Sequence, residues 1–163
     1  MSILKTITVD GFYTQEQAIT LRDTVWNLPF VESELGSEIK NFNLVAENAS
    51  ELFSKVMRVP IEVDDARSGI FRRPMLCIHF EEFDSINEWC FAVALNASTF
   101  NLFQHQSGAK TALDGYKHNY RNLFEWDLTV NYLLEPGQGI FFRPWLFHSF
   151  DTGLVQIFRL KEL

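Results

Sequence analysis

The chain has 163 residues, of which 47% are hydrophobic, so its length and composition suit one domain, residues 1–163, with its own apolar core. Its formal net charge of −7 at pH 7 disfavours a grip on a phosphate backbone, and no nucleic-acid partner is expected. No run of 18 apolar residues and no signal-peptide pattern occurs, so we predict a protein that neither spans a membrane nor is secreted. The sixteen phenylalanines suit the wide gap between two packed sheets.

The placement of the cysteines indicates a cytoplasmic protein. Cys77 and Cys90 both lie in apolar segments, and two cysteines make no disulfide framework, so we interpret them as core thiols in a reducing compartment. Arg72 and Arg73 form the only adjacent basic pair, which we interpret as a solvated or carboxylate-paired turn.

The first part of the chain, to about residue 67, is predicted to be largely helical after a β-prone stretch at residues 3–9. Thr14 and Gln17 have the spacing of a capping box at a helix start, and Pro29 ends the pattern that follows. The apolar residues of this helix recur at helical spacing: Ala18, Leu21, Val25 and Leu28. A second helix is predicted from Ser50 to about Met57. Its inward side is expected to consist of Leu52, Phe53 and Val56.

From about residue 68 to residue 163, strands dominate. Residues 76–81 alternate, with Cys77, His79 and Glu81 on one face of a predicted strand. The apolar run at residues 91–95 is typical of a strand covered on both faces. Further strands are predicted at residues 100–103, 128–134, 140–142 and 154–160. This order predicts a mainly β (α+β) fold, a double-stranded β-helix or jelly roll, with the N-terminal helices packed on one sheet.

His79 and Glu81 stand two residues apart, so their side chains project from the same strand face toward one point. A neutral imidazole and a carboxylate placed in this way can take adjacent positions on a metal ion. A third ligand must come from another strand, and His148, in an otherwise apolar stretch, is the candidate. Two histidines and one carboxylate form the facial triad of non-haem iron(II) oxygenases, which leaves coordination positions open.

Arg159 shares a predicted strand face with Val155 and Ile157. If that face points inward, an unpaired guanidinium there would be costly, so the pattern indicates an anionic partner. A cosubstrate carboxylate is suitable, because the planar guanidinium binds carboxylates through two parallel hydrogen bonds. The alternative is an internal ion pair with Glu162 or Asp151.

The three predicted ligands also have ordinary structural interpretations. His79 could be a hydrogen-bonded core histidine, Glu81 a surface charge, and His148 the cap of a strand end. A His-x-Glu pair alone is a weak signal. The order and spacing of the three residues on predicted strands favour a metal site over three unrelated roles.

Six segments match a family pattern in their order along the chain. They are residues 7–12 with the capped helix after them, residues 78–81 (IHFE), 91–96 (FAVALN), 136–142 (PGQGIFF) and 148–150 (HSF), and Arg159. In these segments the chain resembles the iron(II)/2-oxoglutarate-dependent oxygenases, in the branch of the prolyl hydroxylases and small phage or marine relatives. The likeness covers most of the chain.

This resemblance implies that His79, Glu81 and His148 bind iron(II) and that Arg159 binds 2-oxoglutarate. It also implies oxidative decarboxylation of 2-oxoglutarate to succinate and carbon dioxide, coupled to hydroxylation of a C–H bond in a small-molecule or peptide substrate. Two features depart from the family pattern. The carboxylate ligand is Glu where Asp is commoner, and residues 97–100 (ASTF) stand where Gly-Gly-Thr is usual.

Other polar residues compete for these roles. His105 is a further candidate ligand or substrate contact, although a histidine at a strand end or in a loop is the favoured interpretation. Glu82 projects from the opposite face if the strand continues, and Asp84 could serve only if the strand has ended. Tyr132, on a predicted strand, is a candidate contact for the cosubstrate.

Substrate recognition is predicted in the long polar loop of residues 107–124, which contains His118, and near Trp145. Two other functions are open. A cupin-like metal enzyme without 2-oxoglutarate is disfavoured, because cupins commonly carry His-x-His and position 81 is Glu. The other alternative is a degenerate jelly roll that serves as a non-enzymatic binding module.

Overall fold

A computed structural model describes residues 6–33, 35–40, 49–73, 77–114, 123–151 and 153–163. Within these ranges the chain forms ten strands and two α-helices. The strands are β1 (Ile7–Val9), β2 (Val31–Ser33), β3 (Gly36–Lys40), β4 (Ile61–Arg72), β5 (Glu88–Ala94), β6 (Ser98–His105), β7 (Trp126–Leu134), β8 (Gly139–Phe142), β9 (His148–Asp151) and β10 (Leu154–Glu162). The helices are α1 (Gln15–Val25) and α2 (Ala49–Met57), and none in the described ranges is long and apolar enough to span a membrane.

The strands form two antiparallel sheets. The major sheet has the order β1-β8-β5-β10-β4-β3-β2, and the minor sheet has the order β7-β6-β9. The prediction of a mainly β chain is therefore confirmed, and two antiparallel sheets with few helices are consistent with a jelly roll.

The core is built around β5, which is buried along its whole length. Cys90 and Ala92 lie in an apolar cluster that also contains Phe100 and Phe150 of the minor sheet. The intervening residues of β5 lie in a second cluster with Phe53 of α2. The prediction of a strand covered on both faces is therefore confirmed, and both cysteines are free and buried, as expected of core thiols.

Helix α2 contacts this second cluster through a narrow stripe. Phe53 is 1% exposed and its ring lies 5.1 Å from that of Phe91, while Met57, one turn later, is partly buried against the same cluster. Leu52 and Val56 are 40% and 38% exposed, so the prediction that they face inward is wrong. The helix therefore contacts the aromatic rings of the cluster through one row of side chains, Phe53 and Met57, and Leu52 and Val56 lie outside this contact.

Strands β2, β3 and the first half of β4 lie before residue 68, in the part of the chain for which the sequence predicts helices. The sequences of β2 and β3 lack the alternating apolar pattern that would predict a strand. The three residues of β2 are all exposed, and β3 has the sequence GSEIK, which includes residues of low β propensity. These strands form one edge of the major sheet, where charged side chains protect the unpaired backbone.

The capping box of α1 is present as predicted. Thr14 accepts a hydrogen bond from the Gln17 backbone N–H at 3.1 Å, and the Gln17 side chain accepts one from the Thr14 N–H at 2.9 Å. We expect Thr14→Ala to lower the free energy of unfolding by about 1 kcal/mol, because the Gln17 backbone N–H loses the hydroxyl that accepts its hydrogen bond. Urea denaturation followed by circular dichroism measures this difference.

Thr24→Ala is the matched control in the same helix. The Thr24 hydroxyl is exposed and donates to the Thr20 carbonyl, and such a bond slightly destabilises a helix, so Thr24→Ala is expected to be neutral or slightly stabilising. If the two substitutions lowered the free energy of unfolding equally, the capping box would add no stability beyond that of a threonine elsewhere in the helix.

Candidate metal centre and arginine cavity

The segment that carries His79 and Glu81 was predicted as a strand, and this prediction is wrong. Among the described residues, this segment pairs with another strand at one position. There the His79 and His148 backbones exchange two hydrogen bonds of 2.9 Å. The Glu81 N–H then donates to the carbonyl of Pro144, at 2.8 Å. The register of the bridge places Leu146 opposite Glu81, but the Leu146 N–H donates to the Arg143 carbonyl at 3.1 Å, so the ladder does not continue.

The predicted faces of this segment are nevertheless as observed. Ile78 and Phe80 pack into an apolar cluster with Trp126 and Phe147. His79 and Glu81 lie on the other side, because an extended backbone alternates its side chains whether or not it is part of a sheet.

His148 is the first residue of β9 and pairs with Leu102 of β6. Its side chain is fully buried, and its ring lies 4.7 Å from that of Phe142 and 5.8 Å from that of Phe100. The apolar stretch that precedes His148 therefore delivers an imidazole into the aromatic core between the sheets.

The structure brings the three predicted ligands together. The Oε1 atom of Glu81 lies 3.0 Å from Nε2 of His79 and 3.5 Å from Nε2 of His148. The ligand atoms of all three residues lie within 4.8 Å of one another, and this is the one such group of three among the described residues. A single ion can be reached by all three.

The orientation of both histidine rings is fixed by backbone carbonyls. Nδ1 of His79 lies 2.8 Å from the Cys77 oxygen, and Nδ1 of His148 lies 2.7 Å from the Leu146 oxygen. A carbonyl oxygen can only accept, so each Nδ1 carries the proton and each Nε2 is the atom turned toward Glu81. Nε2 of His148 is buried and forms no hydrogen bond with any described residue. Carbonyl partners on the far nitrogen are what metal-binding histidines usually have, so these residues fit a divalent metal.

The electrostatics of the cluster keep the carboxylate charged. Burial opposes ionisation of Glu81, but the nearby Arg73 charge and the two imidazoles beside the carboxylate hold its pKa well below the usual range. Burial also disfavours a charged His79, yet its bonds to the Cys77 carbonyl and Glu81 raise its pKa. Burial, followed by the charge of His79, lowers the pKa of His148 to about 4, so this ring is neutral at pH 7.

The rival candidates lie elsewhere. Glu82 is exposed, and the Asp84 side chain is 93% exposed beside Arg67. His105 ends β6 and its ring contacts Ser107 and Glu125, apart from the cluster. His118 lies outside the described residues.

Two other sequence expectations concerned ligand contacts. Trp145 is buried in the apolar core with its ring against Phe83, so it is not available at a surface for substrate recognition. The Tyr132 hydroxyl lies 3.5 Å from the Thr6 hydroxyl, which donates to it. Of the loop at residues 107–124, residues 115–122 lie outside the described ranges.

A cavity of about 280 Å³ adjoins the cluster at Glu81, and Arg159 of β10 lines it. Arg159 is 5% exposed; one Nη atom donates to the Glu82 carbonyl and lies 3.5 Å from Glu88. Its Nε has no hydrogen-bond partner among the described residues. Ile157 lines the same cavity, so this face of β10 points inward, which is the condition under which the sequence pattern indicates an anionic partner for Arg159.

Sequence reasoning missed Arg73 as a member of this site. Arg73 follows β4, is 5% exposed, lines the cavity and lies 3.3 Å from Oε1 of Glu81 through Nη2. Arg72 turns away, toward the Trp26 carbonyl and the Phe30 ring. Successive side chains of an extended backbone point to opposite faces, so the sequence could have indicated that one of the two arginines points inward.

Glu88 was also missed. It is buried at the start of β5, accepts the backbone N–H groups of Asp84 and Ser85 at 2.5 and 2.7 Å, and forms an ion pair with Arg67. Since Glu88 also lies near Arg159, one buried carboxylate holds the two arginines beside the cavity.

The fold and the site together define a class, mainly β chains with two antiparallel sheets and a His-Glu-His cluster beside an arginine-lined cavity. Solved structures share this fold across 98% of the chain. One is the non-heme alpha-ketoglutarate-dependent epimerase SnoN from nogalamycin biosynthesis, with a TM-score of 0.66, 11% identity and 79% of its own chain covered. Another is HygX from Streptomyces hygroscopicus, solved with nickel and 2-oxoglutarate, with a TM-score of 0.61, 10% identity and 84% covered.

At these identities the likeness establishes the fold. The resemblance noted from the sequence is thus confirmed at that level: this chain has the fold of 2-oxoglutarate-dependent enzymes. HygX has also been solved with iron bound, with a TM-score of 0.52 and 9% identity. No protein-family model matches the sequence, and comparison with curated proteins gives no match.

Proposed function

We propose that the protein is an iron(II)- and 2-oxoglutarate-dependent enzyme, a dioxygenase that hydroxylates a small-molecule or peptide substrate in the cytoplasm. In this proposal His79, Glu81 and His148 hold the metal and Arg159 binds 2-oxoglutarate, on a double-stranded β-helix with its helices packed against the major sheet. The observation that carries the proposal is the convergence of two oriented Nε2 atoms and one carboxylate oxygen beside a cavity lined by buried arginines.

The donor set suits iron(II). Two imidazoles and one carboxylate are the ligands of the facial triad, which leaves positions open for a cosubstrate. The bound metal would activate dioxygen with 2-oxoglutarate as the reducing cosubstrate, so that one oxygen atom would enter succinate as carbon dioxide is lost and the other would enter the substrate C–H bond. The fold neighbours add support, since SnoN depends on alpha-ketoglutarate and HygX has been solved with 2-oxoglutarate.

The remaining roles belong to the side chains around the metal centre. Arg159 would hold a cosubstrate carboxylate, since its Nε has no partner among the described residues and a guanidinium binds carboxylates in a bidentate way. The rings of Phe100 and Phe142 around His148 would keep water from that side of the metal.

Anaerobic titration of the purified protein with iron(II), and then with 2-oxoglutarate, tests this function. We expect a visible absorption band from 2-oxoglutarate bound to iron(II). Arg159→Gln is expected to weaken 2-oxoglutarate binding about 10–100-fold and to leave metal affinity unchanged, because it removes a charged hydrogen-bond donor from the cavity. Arg22→Gln is the matched control, since Arg22 forms an exposed ion pair in α1.

Each other result would favour another function. Metal binding without the band would favour a cupin-like metal enzyme that does not use 2-oxoglutarate. An absence of both metal binding and the band would favour a non-enzymatic binding module. An unchanged 2-oxoglutarate affinity in Arg159→Gln would contradict the role given to that residue.

A further inference from the structure

The cavity beside the metal cluster is lined by charges of both signs. The lining contains three arginines, Arg67, Arg73 and Arg159, and three glutamates, Glu38, Glu81 and Glu82. Glu88, buried beside Arg67 and Arg159, adds a further negative charge, and a divalent metal at the triad would offset it and favour the entry of an anion. The volume of about 280 Å³ lies at the small end for ligand pockets, so the cavity suits one small dianion.

Two of the three arginines have an N–H donor without a hydrogen-bond partner among the described residues. Arg73 and Arg159 are both buried, and the Nε of each has no hydrogen-bond partner among the described residues. Arg67 differs, because its guanidinium is already bonded to Asp64 and Glu88. Arg73 and Arg159 each have one carboxylate nearby, Glu81 at 3.3 Å and Glu88 at 3.5 Å, and each keeps an unused Nε donor that the carboxylate of a bound ligand would satisfy.

The two arginines occupy different places relative to the metal cluster. Nη2 of Arg73 lies 3.3 Å from Oε1 of Glu81, the oxygen that faces Nε2 of both histidines. Arg159 contacts the Glu82 carbonyl and Glu88 instead. An anion that reaches the metal from the cavity would therefore pass beside Arg73.

We infer, on the basis of the proposed function, that Arg73 is a second cosubstrate-binding arginine. Arg73 binds the carboxylate of 2-oxoglutarate at the metal end, next to the keto group, and Arg159 binds the distal carboxylate. The Phe71 ring, 4.6 Å from the guanidinium carbon of Arg73, supports this side chain from one face.

The test compares two ligands and two variants. 2-Oxopentanoate has the carbon chain and keto acid of 2-oxoglutarate but lacks the distal carboxylate. At saturating iron(II), without oxygen, Arg73→Gln is expected to weaken binding of both ligands by the same factor, about 10–100-fold, because each presents the same carboxylate to it. Arg159→Gln is expected to weaken 2-oxoglutarate alone. Calorimetric titration measures the affinity of wild type and of each variant for both ligands.

Controls separate this role from a purely structural one. Arg72→Gln makes the same change one residue earlier, on a side chain directed at Trp26, and is expected to leave both affinities unchanged. Arg73→Lys keeps the positive charge but lacks the two parallel N–H donors of a guanidinium, so it is expected to bind both ligands more tightly than Arg73→Gln and less tightly than wild type. Circular dichroism and iron(II) affinity without cosubstrate are measured for every variant.

Several results would overturn the inference. Loss of 2-oxoglutarate binding alone in Arg73→Gln would place Arg73 at the distal carboxylate. Lower iron(II) affinity with unchanged ligand affinities at saturating metal would make Arg73 only a positioning residue for Glu81. If wild type binds 2-oxoglutarate but not 2-oxopentanoate, the carboxylate next to the keto group is not bound as proposed. If wild type binds no metal or no 2-oxoglutarate, the proposed function itself fails, together with this inference.

Discussion

His148→Ala is expected to abolish iron(II) binding, with a loss of at least about 100-fold in affinity. Partners that merely orient a metal-bound histidine contribute about 10–100-fold, so removal of a ligand should cost at least as much. The His148 ring is buried among aromatic residues, and no other described histidine or carboxylate joins the cluster to replace it. Anaerobic equilibrium dialysis against iron(II) measures the affinity directly.

His105→Ala is the control for this substitution. His105 is also a buried histidine of the minor sheet, but it contacts Ser107 and Glu125 outside the cluster, so iron(II) affinity should not change. Circular dichroism establishes that both variants fold. Iron(II) binding by folded His148→Ala at the wild-type affinity would remove this histidine from the metal site.

Glu88→Ala is expected to lower the free energy of unfolding by about 3–5 kcal/mol. Glu88 forms ion pairs with both Arg67 and Arg159, and it also accepts the N–H groups of Asp84 and Ser85. Removing one member of a buried charged group leaves the others without compensation, which costs more than the pair contributes. Urea denaturation at neutral pH measures the change, and Glu62→Ala, an exposed glutamate of β4, is the control.

The same carboxylate gives the stability a pH dependence. Burial opposes ionisation of Glu88, but hydrogen bonds from Asp84, Ser85 and Arg67 hold its pKa below the ordinary 4.5. Because the folded-state pKa is lowered, this contribution is complete above the unfolded-state pKa and is lost as the pH falls through the folded-state value. The stability advantage of wild type over Glu88→Gln should therefore be constant near neutral pH and shrink below about 4.5. An advantage that does not change on acidification would contradict the assignment.

The alternation of side chains along extended backbone accounts for most of the site that the sequence predicted. His79 and Glu81 share a side although their segment forms one bridge, since alternation depends on backbone conformation and not on sheet pairing. The continuous apolar run of β5 likewise predicted a strand with both faces covered. Local patterns of this kind are visible in one sequence.

The buried charges were not predictable in the same way. Arg73 was interpreted from sequence as part of a solvated or carboxylate-paired turn, and no sequence pattern singled out Glu88, since most arginines and glutamates are exposed. Each is buried beside oppositely charged partners, Glu81 for Arg73 and both Arg67 and Arg159 for Glu88. A pattern confined to neighbouring residues carries no information about such pairs.

Helix α2 illustrates a related limit. Helical spacing predicted a broad inward face, yet the part of α2 that is buried is set by the shape of the surface beneath it. The aromatic rings of the major sheet admit Phe53 and leave Leu52 exposed. How wide a stripe a helix buries depends on its partner as well as on its own periodicity.

The direct bridge between His79 and His148 links two stretches of chain that are far apart in sequence. A metal held by both imidazoles would tie these stretches together as a covalent cross-link does, because opening the barrel at this point would require the metal to dissociate. The free energy of unfolding would then rise with the logarithm of free metal concentration above the dissociation constant. In a cell, the lifetime of the folded chain would follow its iron supply.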